Sequence, residues 1–298
     1  MPEPADVAQD VDVGDGLRLH VARAGTGPAL LLLHGFTGAG TTWAPLVAAL
    51  GGRYTTLAVD LPGHGRSGAP ADPARYALAR LADDLTRVLD ACDVTRVAVL
   101  GYSLGGRAAL RFALAHPGRV DALLLESASP GIADPAERAA RVAADRALAD
   151  TIERDGVAAF VDRWERLPLW ASQASLGEDV RVRLRVHRLA NDARGLANSL
   201  RGAGAGADPP VLDQLGAIGA PTLIVAGALD AKYVALGRAM REVIAGARLV
   251  VMPGAGHAVH LERPAEFAGV VRECLGEPRG AEGGREEGGV ERAGERRR

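Results

Sequence analysis

The amino-acid sequence predicts an α/β fold: a mostly parallel sheet flanked by helices, with a helical cap inserted above one sheet edge. Three observations carry that expectation. Short apolar runs alternate with helix-forming stretches along most of the chain, the pattern of a parallel sheet covered on both faces. One such run, Val97 to Leu100, ends in Gly101-Tyr102-Ser103-Leu104-Gly105 just ahead of the helix formers of Ala108 to Ala115. Between Pro130 and about Gly206 the alternation stops, and helical patterns follow one another without strands.

Taken in order, Leu17 to Arg23 alternates as a strand and Ala29 to Leu33 reads as a buried one. The second ends in His34-Gly35-Phe36-Thr37-Gly38, where glycines let backbone approach a ligand. Trp43 to Leu50 suits a short helix and Tyr54 to Val59 a strand, followed by the glycine-rich turn Asp60 to Ser67. Arg75 to Ala91 repeats Leu78, Leu81, Leu85, Val88 and Leu89 at helical spacing. Val120 to Leu125 is the next strand. Helices are expected over Ala136 to Asp155, Val157 to Trp164, Val180 to Leu189 and Gly195 to Leu200. Strands resume at Pro221 to Ala226 and Leu249 to Met252, and Pro264 to Leu275 forms the last helix. The expected division is a core from 1–129 and 207–275, a helical cap at 130–206, and a charged tail at 276–298 too poor in apolar residues to bury a core.

Composition narrows the partners. At 298 residues and 48% hydrophobic, the chain has enough apolar material for one large core. A net charge of −2 gives no basis for holding nucleic acid or an anionic membrane. The basic residues are arginines except Lys232, a bias of composition. Cys92 and Cys274 lack metal spacing and are far apart, Met1 to Asp10 is no signal peptide, and no apolar run reaches the ~20 residues of a membrane span. A cytoplasmic protein acting on a small molecule is expected.

A serine becomes a nucleophile or base only when a second base takes its proton and a carboxylate orients that base. Strand, G-x-S-x-G and helix together make a nucleophile elbow, with Ser103 at the tip of a sharp turn. Leu223 to Asp230 is a strand whose loop ends in a carboxylate, and Gly254-Ala255-Gly256-His257 follows the last strand. Ser103, Asp230 and His257 thus come after three strands at one sheet edge, in the chain order of this kind of triad. Asp230 could instead cap the next helix, and Asp208 and Asp213 are poorer acids because neither follows a strand. His260 is a rival base better suited to holding the loop or touching substrate, while His34 and His64 suit loop-shaping roles. The amides of Phe36 and Leu104 are the candidate oxyanion donors.

His34-Gly35-Phe36, the Asp60 to Ser67 turn, the elbow, Asp230 and His257 together resemble the α/β-hydrolase superfamily over residues 14–275. That resemblance leaves the reaction open among esterases, C–C hydrolases, haloperoxidases and lyases. Arg107 narrows it. One turn along the elbow helix from Ser103, its guanidinium is expected to require an anionic partner from the protein or from substrate. Glu126 to Gly131, Glu137 to Arg141, Asp145-Arg146, Phe160, Trp164, Pro168 to Gln173, Arg188 and Ser199 to Gly202 then follow in an order similar to one family, the 2-succinyl-6-hydroxy-2,4-cyclohexadiene-1-carboxylate synthases of menaquinone biosynthesis. The resemblance implies a lyase that eliminates pyruvate from a tricarboxylate, needs no metal or organic cofactor, and uses Ser103, His257 and Asp230 as a proton-abstracting set. It implies substrate contacts at Tyr102, Arg107, Arg141, Trp164 and Arg188. Lys232, two residues past the acid, is placed to reach the pocket mouth. A covalent serine hydrolase and a ligand receptor without turnover remain the alternatives.

Overall fold

The structure is a computed structural model that describes residues 7–276, so the tail expected at 276–298 lies, except for Gly276, outside the described residues. One sheet contains β1 (Val7–Asp12), β2 (Arg18–Ala24), β3 (Ala29–Leu33), β4 (Thr55–Val59), β5 (Val97–Tyr102), β6 (Val120–Glu126), β7 (Thr222–Gly227) and β8 (Arg248–Met252). Their spatial order is β1-β2-β4-β3-β5-β6-β7-β8. The pairings of β2 with β1 and β4 are antiparallel, and all others are parallel. Strand β1 was not expected from the acidic N-terminal segment. It survives as an edge because Val11 faces the core while Asp10, opposite His20 in the register, accepts from His20 Nδ1 at 2.8 Å.

The central strands carry period-two alternation within continuous apolar runs, because both faces are covered. In β3, Leu31 and Leu33 join the core shared with α2 (Leu78–Ala91) and α3 (Leu104–Ala115), represented by Leu85, Leu89 and Phe112. Leu30 and Leu32 face the other way, against α1 (Ala44–Leu50) and α9 (Pro264–Leu275), where Trp43, Leu46 and Phe267 are buried. Among the described residues, no helix is long and apolar enough to cross a membrane.

Several helix boundaries move for identifiable reasons. Asp72 accepts from Ala74 N and caps a separate 3-10 turn, Pro73–Tyr76, so α2 begins three residues later than the apolar spacing suggested. A 3-10 turn, Gly40–Trp43, likewise precedes α1. Helix α3 begins at once after Ser103. Between β6 and β7 the two helices expected at 136–155 and 157–164 are both present: the stretch α4 (Pro135–Trp164) is broken between them at Gly156, whose φ 81° and ψ 166° are not helical. A 3-10 stretch (Pro168–Ser175), α5 (Glu178–Leu189) and α6 (Ala193–Ala203) complete this insertion. Its small core of Ile152, Phe160, Leu196 and Leu200 packs against Phe36 from the loop after β3. The remaining helices are α7 (Ala231–Val243) and α8 (Val259–Glu262).

Two glycines set how closely α3 approaches the sheet. A Cβ at Gly101 would lie 2.2 Å from the Gly105 carbonyl oxygen, and one at Gly105 would lie 2.2 Å from that of Leu33. Both obstacles are backbone in paired strands or a helix turn, which cannot retreat cheaply. Gly105→Ala is therefore expected to cost about 3 kcal/mol or more in urea unfolding, whereas Gly118→Ala, with open space at its Cβ, should stay near the parent. Equal midpoints for the two variants would contradict this packing.

Candidate active site

Strand β5 delivers Ser103 into a backbone conformation that side chains avoid, φ 53° and ψ −105°. The conformation is held from both sides: the Ser103 amide donates to the Glu126 carbonyl at 2.9 Å, and the Arg107 amide donates to the Ser103 carbonyl at 3.1 Å. Leu104 is the first residue of α3, so its amide has no acceptor within the helix and stays with the positive end of the helix dipole. Ser103 thereby stands beside a donor suited to developing negative charge.

The other two members converge as the chain order suggested. His257 Nε2 lies 3.1 Å from Ser103 Oγ, and His257 Nδ1 lies 2.7 Å from Asp230 Oδ2. With Nδ1–H donating to the carboxylate, Nε2 is left as the acceptor for the serine hydroxyl. The capping alternative for Asp230 is also realised, since its Oδ1 accepts from Tyr233 N at 3.3 Å. One carboxylate does both, which fixes it from two directions. Asp208 is engaged elsewhere by Arg111 at 2.9 Å. His260 is buried and donates through Nδ1 to Glu126 at 2.8 Å, in a position behind Tyr102 rather than in the cavity.

Sequence reasoning missed Glu262. Its carboxylate accepts from Gly256 N at 2.7 Å and from Ala258 N at 3.3 Å, the two amides that flank His257. The signal available was only a carboxylate five residues past the histidine. An aromatic collar was missed as well: the rings of Tyr233, Tyr102 and Trp170 lie 4.5, 5.4 and 5.6 Å from that of His257. Tyr233 and Trp170 were visible in the sequence as neighbours of the acid and of the cap aromatics, without any pattern tying them to the base.

The loops around the oxyanion site are fastened by buried polar groups. His34 Nδ1 donates to the Gly35 carbonyl, and its Nε2 accepts from Leu61 N at 2.9 Å. Asp60 accepts from Gly40 N at 2.5 Å and Arg66 N at 2.7 Å. His64 donates to the Pro62 carbonyl at 3.0 Å and lies edge-on to Phe36. His34 and His64 are thus structural, as their loop positions suggested.

Ser103 and His257 open on a cavity of about 410 Å³ beneath the β6–β7 insertion. Of the residues expected there, Phe36, Tyr102, Leu104, Arg107, Arg141, Trp164 and Lys232 all line it. Arg188 does not. Its guanidinium is turned away behind Trp170, 5.5 Å from the ring centroid, and bonds Glu165 Oε1 at 3.0 Å and Gln173 Oε1 at 3.3 Å. Trp170 and Tyr102 stand between the two spaces, since each also lines the small cavity that Arg188 does border. For Arg107 the expectation was an anionic partner from the protein or from substrate. Among the described residues it has no carboxylate partner; it donates to the carbonyls of Ala203 and Gly204 at 2.6 and 3.1 Å, at the end of α6. Those carbonyls have no acceptor role left inside the helix and carry its negative end, which suits a cation. Burial pulls Arg107 below the usual arginine range, with Asp208 acting the other way. Tyr102 is pushed well above the usual phenol range by burial and by Glu126, so it presents a proton rather than a charge. Among the described residues, no group of three or more His, Cys, Asp or Glu side chains is placed to hold a metal ion.

Comparison with known proteins sets this site among relatives. The α/β hydrolase fold family matches residues 28–264. A Bacillus subtilis (strain 168) protein provisionally named 2-succinyl-6-hydroxy-2,4-cyclohexadiene-1-carboxylate synthase is 41% identical over 89% of this chain and 97% of its own length. The protein of that name from Serratia proteamaculans (strain 568) is 31% identical over 84% of this chain and 94% of its own. In three dimensions, the structure of MenH from S. aureus superposes with a TM-score of 0.81 at 31% identity, over 88% of this chain and 98% of that one.

The buried histidines give a pH signature. Burial pushes His34 down from 6.5 to about 4 and His64 to about 3. Both are neutral in the folded protein while the unfolded chain protonates below about pH 6.5. Their contribution is therefore fully present above pH 6.5 and lost as pH falls from there toward 4 and 3. His34 alone accounts for roughly 3 kcal/mol of that loss by pH 4. The urea midpoint should drop steeply over this range, and His64→Gln should lessen the slope by about one proton. A pH-independent midpoint between 6.5 and 4.5 would contradict it.

Proposed function

The chain belongs to the 2-succinyl-6-hydroxy-2,4-cyclohexadiene-1-carboxylate synthase family within the α/β hydrolase fold, and on that premise we propose how its site works. It is a lyase that eliminates pyruvate from 2-succinyl-5-enolpyruvyl-6-hydroxy-3-cyclohexene-1-carboxylate, giving 2-succinyl-6-hydroxy-2,4-cyclohexadiene-1-carboxylate, in menaquinone biosynthesis. The observation that carries the proposal is the hydrogen-bonded set Ser103–His257–Asp230 opening on a cavity with Arg107, Arg141 and Lys232 in its wall.

The chemistry follows from the substrate's bonds. The ring C2–H is acidified by the adjacent succinyl ketone. Ser103 Oγ takes this proton as its own hydroxyl proton passes to His257 Nε2, and Asp230 stabilises the resulting imidazolium. The C2 electron pair forms C2=C3, the C3=C4 pair moves to C4=C5, and the C5–O bond breaks. Enolpyruvate leaves with that electron pair, takes a proton returned through His257, and tautomerises to pyruvate. Negative charge on the ketone oxygen during this sequence would be met by the amides of Leu104 and Phe36. The collar of Tyr102, Trp170 and Tyr233 keeps water from the imidazole, which favours elimination over hydrolysis. The ligand's carboxylates would be met by Arg107, Arg141 and Lys232, with Tyr102 and Trp164 against the ring. Arg188 would join only if Trp170 swings aside. The setting proposed is the cytoplasm, where so highly charged a small molecule is dissolved.

A second reading, a serine hydrolase forming an acyl-enzyme, uses the same three residues, whose geometry equally suits attack on an ester. Pyruvate release separates the two. With the cyclohexene substrate generated enzymatically and pyruvate followed by a lactate dehydrogenase couple, the protein should accelerate release far above the spontaneous rate. Ser103→Ala should remove at least about 10³-fold of that acceleration. Release no faster than the spontaneous reaction, together with turnover of simple esters, would move the assignment to the hydrolase.

A further inference from the structure

The wall of the catalytic cavity is not uniformly basic: Arg107, Arg141 and Lys232 share it with Asp134, Glu137 and Asp145. Asp145 differs from the other two acids by being inside the protein, with 5% of its surface exposed. It follows Arg141 by one turn of α4, and its Oδ1 accepts from Arg141 Nε at 2.8 Å. A pair at this spacing on a solvated helix face is ordinary surface support, worth little. Here the acid is buried, and its second oxygen finds no hydrogen-bond partner among the described residues. That oxygen lies against Gly204, close enough that a Cβ there would be 2.6 Å away, and the Gly204 carbonyl is one of the two that hold Arg107. Asp145 therefore bonds one guanidinium of the cavity and lies against the residue whose carbonyl holds the other. A buried carboxylate left half-satisfied is costly in itself, so its place is better explained by the charges beside it.

We propose that Asp145 is a built-in stand-in for a substrate carboxylate: it neutralises the Arg107–Arg141 pair while the cavity is empty, and an anionic ligand must bind against its charge. The contact with Arg141 uses Nε, so it does not consume the outer edge of the guanidinium, the part that meets a carboxylate in a two-pronged pair. The partly buried Arg107 and the solvent-exposed Arg141 can thus share one cavity wall without repelling each other, and the product is held less tightly than the arginines alone would hold it. The substrate class this selects is a ligand with more negative charge than a single carboxylate, enough to outweigh the internal one. The inference rests on reading the cavity as the site of an anionic substrate.

The test is binding of a stable dianion, 2-succinylbenzoate, to the full chain by calorimetry at low salt, with its dimethyl ester as the uncharged control. Asp145→Asn keeps an acceptor for Arg141 Nε and removes the charge. It should tighten dianion binding by on the order of tenfold and leave the ester unchanged, while lowering Tm in the absence of ligand. Asp145→Ala should shift binding in the same direction, which separates loss of charge from disturbance peculiar to the amide. Unchanged or weaker dianion binding in both variants, as expected if Asp145 merely positions Arg141, would overturn the proposal. So would an equal gain for the ester. If the wild-type chain fails to bind the dianion at all, the anionic reading of the cavity falls and the proposal falls with it.

Discussion

The structure depends on the close approach of helix α3 to strands β3 and β5. That approach forces Ser103 into its positive-φ turn, since the chain must pass from β5 into the helix with Ser103 as the one residue between them. It also sets the depth of the helix N-terminus below the cavity, and so where the Leu104 amide sits relative to Ser103. Gly101 and Gly105 are the residues that make it sterically possible. The strain is offset by the parallel pairing of β5 with β3 and β6 and by the apolar core on both sheet faces. Once Ser103 is so placed, the register of the sheet brings Asp230 after β7 and His257 after β8 to the same edge.

Most of this was legible because it is written in local chemistry. The apolar runs of β3, β5 and β7 and the spacing of Leu78, Leu81 and Leu85 are periodic signals, and the G-x-S-x-G turn needs its glycines within five residues. Asp230 and His257 could be named from their positions after strands. Strand β1 was not legible, because an edge strand exposing its polar face looks like any acidic segment. The start of α2 was obscured by a competing side-chain cap at Asp72, which stops one turn and makes the next begin afresh.

The site's electrostatics were legible only as a list of charges. Sequence shows that Arg107, Arg141 and Arg188 exist, but their partners are settled by tertiary packing. Arg107 is held by helix-end carbonyls, Arg141 by an acid of its own helix, and Arg188 by Glu165 and Gln173 behind an indole. None of these partners lies at a distance in sequence that a motif would encode, apart from the Arg141–Asp145 turn. The Glu262 clamp on the amides beside His257 is hidden for the same reason: it is a side-chain-to-backbone contact with no periodicity. In each case a polar group's burial, rather than its identity, defines what it does.

The central claim is that this serine set removes a ring proton and does not open an ester. The most direct measurement is a single-turnover comparison of substrate carrying hydrogen or deuterium at ring C2, with intact-protein mass recorded during the same turnover. Proton abstraction by Ser103 predicts a primary isotope effect on pyruvate release and an enzyme mass that never rises by a covalent fragment. Release insensitive to the isotope, with a fragment of the substrate attached at Ser103, would contradict it.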